Sequence, residues 1–442
     1  MRRVFILALL FLGMQLIVPL GVNGPGASGR TLLAFGFLML AAYTVGEIVT
    51  RISLPRITGY LVAGILFGPS LLGTVSTDVV VELAPVNRLA VALIAFLAGA
   101  ELRWSELRER GRTIATMLGT EIVLSFVAIA GALLALRPFV PFLADLPLAA
   151  AVALSLLFAS VAVVHSPAVT MAMLTETGAR GPVARTTLGI VLVADVVVVL
   201  LFSGVLAVVR ALVPSPGGAS TMSVGLVAWE IGGAVLVGAV LGLAIALYLR
   251  FVQRELLMFA VVVTFLGAEI ARLAHVETLL TLLVAGFVTE NVAKEGGAAL
   301  LHAMERSAAP VFVVFFALAG ATIELSQLAS LWPLAMAVVA VRGVAIWGGC
   351  ALGGRWARAG EGERQYTWMG LIAQAGVAIG LVTVIADAYP ERGALMRTLL
   401  LSVIAINQLI GPVLARFALV RSGETAGAAS EEEEGAPQPA PT

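Results

Sequence analysis

The run Leu154-Ser155-Leu156-Leu157-Phe158-Ala159-Ser160-Val161-Ala162-Val163-Val164-His165-Ser166-Pro167-Ala168-Val169-Thr170-Met171 is apolar enough to lie in lipid, and it is interrupted from within by His165-Ser166-Pro167. A bilayer offers no water to freed backbone groups, so a helix broken at that depth must be surrounded by protein or line a cavity. Pro167 removes one helical N–H and leaves carbonyls open. A second interruption, Gln374-Ala375-Gly376 followed by Gly380, stands inside the apolar run of residues 366–388. There Gly376 loosens the chain and Gln374 brings an amide to the gap.

Working outward, cuts at Gly, Pro and charge clusters give fourteen expected helices: 3–21, 31–49, 57–73, 86–101, 114–136, 147–175, 183–210, 223–249, 256–273, 277–292, 307–323, 329–353, 366–388 and 394–417. The interruptions fall in the sixth and the thirteenth, which are seven apart and therefore cross in opposite directions. Pro and Gly are common in membrane helices, so either break alone carries little. A matched pair in two inverted halves points to a transport site at the midplane.

Composition agrees. The 442 residues are 60% hydrophobic and 12% charged, with a mean hydropathy of +1.03. A soluble domain has about 45–50% apolar and about 25% charged residues. The runs are continuously apolar, whereas barrel strands alternate, so the expected class is an all-α polytopic membrane protein of about 13–14 transmembrane helices. The 27 Lys+Arg balance 27 Asp+Glu, and with three His and one Cys there is no basic field for nucleic acid and no cluster for a metal. Neither a nucleophile elbow nor metal-ligand spacing nor paired carboxylates occur, so no enzyme and no cofactor is expected. Cys350, inside an apolar run, reads as a small buried hydrophobe.

With a cytoplasmic N-terminus, nineteen of the basic residues fall on the cytoplasmic side, seven on the other, and Arg342 lies mid-segment. That bias predicts an inner-membrane, multi-pass protein with both termini cytoplasmic. Residues 1–21 read as an extra N-terminal helix; Met1-Arg2-Arg3 also suits a signal peptide, but no small-x-small site precedes Gly21. Residues 422–442, with Glu431–Glu434 among Pro, Ala and Gly, read as a disordered acidic cytoplasmic tail.

Ionisable residues deep in such segments mark function. Asp195, in Leu192-Val193-Ala194-Asp195-Val196-Val197, is mid-segment with only apolar neighbours. A lone carboxylate in a low-dielectric cavity disfavours bare charge, so it takes a proton or a hard cation. The bland alternative is a structural ion pair with Arg342. Arg342, whose guanidinium does not deprotonate, is expected to hold acid groups or broken-helix carbonyl ends together. Glu121 is a candidate second acid on the ion path, a partner for Arg342, or a helix-end residue reaching for water. Glu47, Glu269 and Glu290, near expected helix ends, read as interfacial. Ser160 and Ser166 flank the first break as oxygen donors, and His165 either tunes proton access or fills the broken turn.

Three stretches carry a family resemblance. Leu54-Pro55-Arg56-Ile57-Thr58-Gly59-Tyr60-Leu61-Val62-Ala63-Gly64-Ile65-Leu66-Phe67-Gly68-Pro69-Ser70 resembles the opening of the Na+/H+ exchanger-type cation:proton antiporters. Phe96-Leu97-Ala98-Gly99-Ala100-Glu101-Leu102 resembles their Phe-x-x-Gly-x-Glu-Leu stretch, and Ala285-Gly286-Phe287 with Pro310–Gly320 resembles later helices. The similarity runs in order through residues 31–420 and is closest to the bacterial cation:proton antiporter-2-like type. It implies a core of thirteen helices with inverted repeats, two crossed broken helices, and a homodimer in the lipid bilayer. It also implies Asp195, with Ser166 and Ser160, as the ion- and proton-binding group, Arg342 as the core basic residue, and Pro167, Gln374 and Gly376 at the breaks. Many members have Asn-Asp or Asp-Asp where this chain has Ala194-Asp195, and several have Asp or Thr at the position of Ser166-Pro167.

The expected function is a secondary antiporter that exchanges Na+ or K+, with Li+ as a further candidate, for protons by alternating access. The single acid makes the exchange electroneutral. The alternatives are a transport-inactive regulatory or sensor protein of the same fold, and a channel-like cation pathway.

Overall fold

Long Leu-, Val- and Ala-rich runs favour helices that satisfy their own backbone, and the computed structural model contains α-helices and short 3-10 turns with no strand among its described residues, which are 11, 28–212, 224–251, 255–293, 295–374 and 377–425. The helices are α1 Ser28–Val49, α2 Arg56–Phe67, α3 Thr77–Glu82, α4 Ala84–Ala100, α5 Trp104–Ala135, α6 Leu148–Ala162, α7 Pro167–Thr177 and α8 Pro182–Leu212. They continue as α9 Val224–Phe251, α10 Leu256–Leu273, α11 Thr278–Ala293, α12 Glu295–Ala321, α13 Leu325–Ala357, α14 Glu361–Gly370, α15 Val377–Ala388 and α16 Pro390–Arg421.

Thirteen of the fourteen expected segments have a counterpart. Eight are long and apolar enough to cross a membrane, a ninth is the bent pair Gly296–Glu305 and Ala308–Ala321 at 53°, and four are shorter apolar helices. The first segment, 3–21, lies outside the described residues except for Phe11, whose ring centroid is 6.0 Å from that of Phe67. Gly376 and residues 426–442 also lie outside them. The expected segment 57–73 ends at Phe67, because Gly68-Pro69 turns the chain into the short α3. The expected 114–136 instead starts at Trp104: an apolar criterion finds the lipid-embedded part, and the helix runs past it through Arg108, Arg110 and Arg112.

Lipid-facing surface is visible as stripes. On α9, Leu236, Val240, Leu243 and Leu247 are all at least half exposed, at the spacing of a single helix face. Inside, the buried residues form two large cores. One gathers α1, α2, α4 and α7 with α9–α12; the other gathers α5, α6, α13 and α15. Helix α8 belongs to both, with Leu188 and Leu192 in the first and Ile190, Val191, Ala194 and Val198 in the second. The first break is also a crossing point, since α6 packs in the second core and α7 in the first. Asp195 therefore rides on the helix at the seam between the two cores.

Candidate functional site

Each interruption leaves carbonyls that no helical N–H can reach, and Arg342 on α13 collects them. The guanidinium is fully buried. Its Nε donates to Ala162 O at 2.7 Å and Nη2 to Val164 O at 2.9 Å, both at the first break. Nη1 donates to Ile372 O at 2.7 Å and Nη2 also to Leu371 O at 3.2 Å, at the second. A fixed cation among the negative C-terminal ends of α6 and α14 satisfies their dipoles as well as their lone pairs. Gln374 completes the junction: Nε2 donates to Ala162 O at 2.9 Å, and Oε1 accepts from Asn407 Nδ2 on α16 at 2.8 Å. Asn407 was missed by the sequence reading, although it and Gln408 interrupt the apolar run of α16.

The opposite ends of the broken helices face Asp195. Ser166 caps α7, its Oγ accepting from Val169 N at 3.3 Å, and Pro167 takes the first helical position, where no N–H is needed. A cavity of about 40 Å³ is lined by Ser166, Pro167, Ala168, Asp195 and Val377, and closed on the other side by apolar residues of α4, α11 and α12. The start of α7 and the start of α15 thus meet the carboxylate, while the ends of α6 and α14 meet the guanidinium. Asp195 Oδ1 is buried without a partner among the described residues. The alternative of an Arg342–Asp195 ion pair is not formed there, because the guanidinium is engaged by the carbonyls.

Glu121 is fully buried, so it does not reach for water at a helix end. Its Oε1 accepts from Ser125 Oγ at 2.9 Å and its Oε2 lies 3.1 Å from His165 Nε2. It is brought there by close packing of α5 on α13, where a Cβ on Gly353 would fall 2.6 Å from Met117 Cα. Neither Glu121 nor His165 lines the Asp195 cavity. Ser160 is buried, but its hydroxyl donates back to Leu157 O at 2.7 Å and it is absent from that lining. Of the acids read as interfacial, Glu47 pairs with Arg56 at 2.9 Å and Glu269 with Arg272 at 2.6 Å. Glu290 departs from that reading: it is only 7% exposed, paired with Arg103 at 3.2 Å, because α11 packs on α4 and covers it.

A second cavity, of about 200 Å³, opens at the Arg-rich end of the bundle and is lined by Glu101, Arg103, Arg110, Arg180, Arg185 and Glu305 among others. Glu101 sits just past the last residue of α4. Burial, and then a hydrogen bond with the Glu305 carboxyl, push its pKa up to about 8.

Residues 36–420 match the family of sodium/hydrogen exchangers, transmembrane region. The chain belongs to the sodium/hydrogen exchanger family. In fold, this exchanger-family chain is similar to two structures of the sodium proton antiporter MjNhaP1 from Methanocaldococcus jannaschii. With the one at pH 8 the TM-score is 0.65 at 16% identity, over 89% of this chain and 99% of that one. With the one from an electron-microscopy map it is 0.69 at 16% identity, over 92% and 99%. At that identity the likeness is one of fold.

Proposed function

We propose that the protein is a secondary antiporter that exchanges one monovalent cation for one proton at Asp195 by alternating access. Family membership supports cation/proton antiport. The observation that carries the site is the buried, unpartnered Asp195 Oδ1 in a cavity formed where the two broken helices begin again. A cavity of about 40 Å³ exceeds the roughly 10–15 Å³ that one water needs, which leaves room for a stripped monovalent cation. Ser166 supplies a second oxygen on the same wall; Ser160, turned away, supports the helix instead.

In this reading Asp195 alternately holds a proton and the cation, and releases one as it takes the other. Arg342, with Pro167, Gln374 and Gly376 at the breaks, keeps the crossing intact whichever is bound. Since a monovalent cation replaces a single proton on one carboxylate, the loaded carrier has the same charge in both directions and exchange is electroneutral. Na+ is the first cation to test, because the structurally similar antiporter is named for sodium; K+ and Li+ follow. The position of Asp195 between two cores supports movement of one against the other. A homodimer in the inner membrane, with both termini cytoplasmic, residues 1–21 retained as a helix and 422–442 as an acidic tail whose root is held where Glu424 accepts from Val183 N and Ala184 N, completes the proposal.

The test is fluorescence dequenching of a pH probe in everted vesicles, with Na+, K+ and Li+ added in turn. The expected result is cation-dependent proton release that disappears in Asp195→Asn at equal expression. Release by Asp195→Asn as fast as by the native chain would overturn the assignment, and cation passage without proton release would favour the channel-like reading.

A further inference from the structure

His165 is 1% exposed, and each of its ring nitrogens meets an acceptor. Nδ1 lies 2.8 Å from Leu371 O, and Nε2 lies 3.1 Å from Glu121 Oε2. A backbone carbonyl can only accept, so the short contact at Nδ1 requires a proton on that nitrogen. With the tautomer fixed in this way, Nε2 and Glu121 Oε2 hold one further proton between them. Were it to leave, two lone pairs would face each other at 3.1 Å, too close for a water to enter between them. Ser125 already donates to the other carboxylate oxygen. Arg342 Nη2, at 3.3 Å from Nδ1, is committed more closely to Val164 O at 2.9 Å. The ionisable side chains of α13 around the pair are Arg342 and, beside Glu121, Cys350; Asp195 of α8 lines a different cavity.

We infer that His165 and Glu121 share a captive proton and act together as a positioning pair, tying α5 to both breaks and standing outside the proton exchange. The inference rests on Asp195 being the exchanging carboxylate. Drawn with the proton on the ring or on the carboxyl, the pair is neutral, so the charge on Arg342 is balanced by backbone dipoles and not by Glu121. The crossing then carries the same single positive charge with a proton or with a monovalent cation on Asp195, and one proton moves per cation.

The experiment uses the full chain in liposomes with the potential clamped at zero, and the cation that gives dequenching. A cation gradient is opposed by a proton gradient until net flux stops. The native protein and Glu121→Gln, whose amide donates to Nε2 in place of the shared proton, are both expected to stop at equal gradients, with the same pH midpoint and rates within about threefold. Glu121→Leu, which cannot donate, is expected to fall at least about tenfold in rate, so that rescue by Gln reports the hydrogen bond and not mere bulk. Balance at unequal gradients in the native chain that becomes equal in Glu121→Gln would overturn the inference, as would a midpoint moved by about a unit in that variant. Asp195→Asn measured beside them separates the two readings: if it still exchanges, the carrier assignment fails, and if it is silent, any failure belongs to the pair.

Discussion

Gln374 and Ala162, distant in sequence, are joined by a 2.9 Å hydrogen bond from the amide to the last carbonyl of α6. The bond ties the second interruption to the first, and Asn407 holds the amide in the orientation that makes it. Gln374→Leu leaves the buried Asn407 Nδ2 without its acceptor and takes one of two donors from Ala162 O, which keeps Arg342 Nε, at nearly constant volume. The expected cost is about 1–3 kcal/mol, read as a lower melting temperature in detergent. A melting curve like that of the native chain would show that the junction does not need the amide.

Arg342 serves four carbonyls from two breaks. Its removal takes the side-chain donor from Val164 O and Ile372 O and leaves Ala162 O to Gln374 and Leu371 O to His165, so Arg342→Ala is expected to lose roughly 3–5 kcal/mol. Arg342→Lys should recover only part, because a point charge lacks the planar fork that reaches both helices. Thermal stability and cation-dependent proton release, measured on both variants, check this. Equal stability of the Lys and Ala variants would show that a point charge without the fork contributes nothing, and a Lys variant as stable as the native chain would show that the fork is not needed.

Glu101 gives a pH dependence with a definite sign. Burial first, and then the Glu305 carboxyl, raise its pKa from 4.5 to about 8. The folded protein therefore keeps a proton that the unfolded chain gives up near 4.5, and stability is highest below that value. It declines as pH rises through the window up to about 8. Melting temperatures across that range should fall for the native chain and fall less for Glu101→Gln.

The C-terminal segment is expected to matter at its root only. Glu424 accepts from Val183 N at 2.7 Å and Ala184 N at 2.8 Å, capping the helix that carries Asp195. In the same turn Thr186 donates to Glu363 at 2.5 Å, a carboxylate also bound by Arg110 at 2.8 Å. Glu424→Ala should cost about 1 kcal/mol, whereas deletion of 426–442 should leave both melting temperature and exchange unchanged. Equal losses in the two variants would place the effect in the tail and not in the cap.

Much of this was legible along the chain because lipid is a demanding solvent. It forces long apolar helices, makes any break conspicuous and makes a charge such as Asp195 or Arg342 stand out from its neighbours. The apolar middle of each long described helix, both breaks and the two central ionisable residues follow from that constraint, whereas ends such as Phe67 and Trp104 do not. The destination of a side chain does not, because sequence periodicity gives a face and never the partner across it. Ser160 and Ser166 have similar chemistry and stand six residues apart, yet one hydroxyl turns back onto its own helix and the other residue lines the cavity. A place near water is one of three readings of Glu121 and the single reading of Glu290, but packing of α13 on α5 and of α11 on α4 buries both. Only the tertiary structure decides that Arg342 answers the ends of broken helices, that Asp195 is left facing a cavity beside their beginnings, and that Glu121 is committed to His165. Each of these is set by which backbone groups two distant interruptions leave open, and that is a property of the crossing and of neither segment by itself.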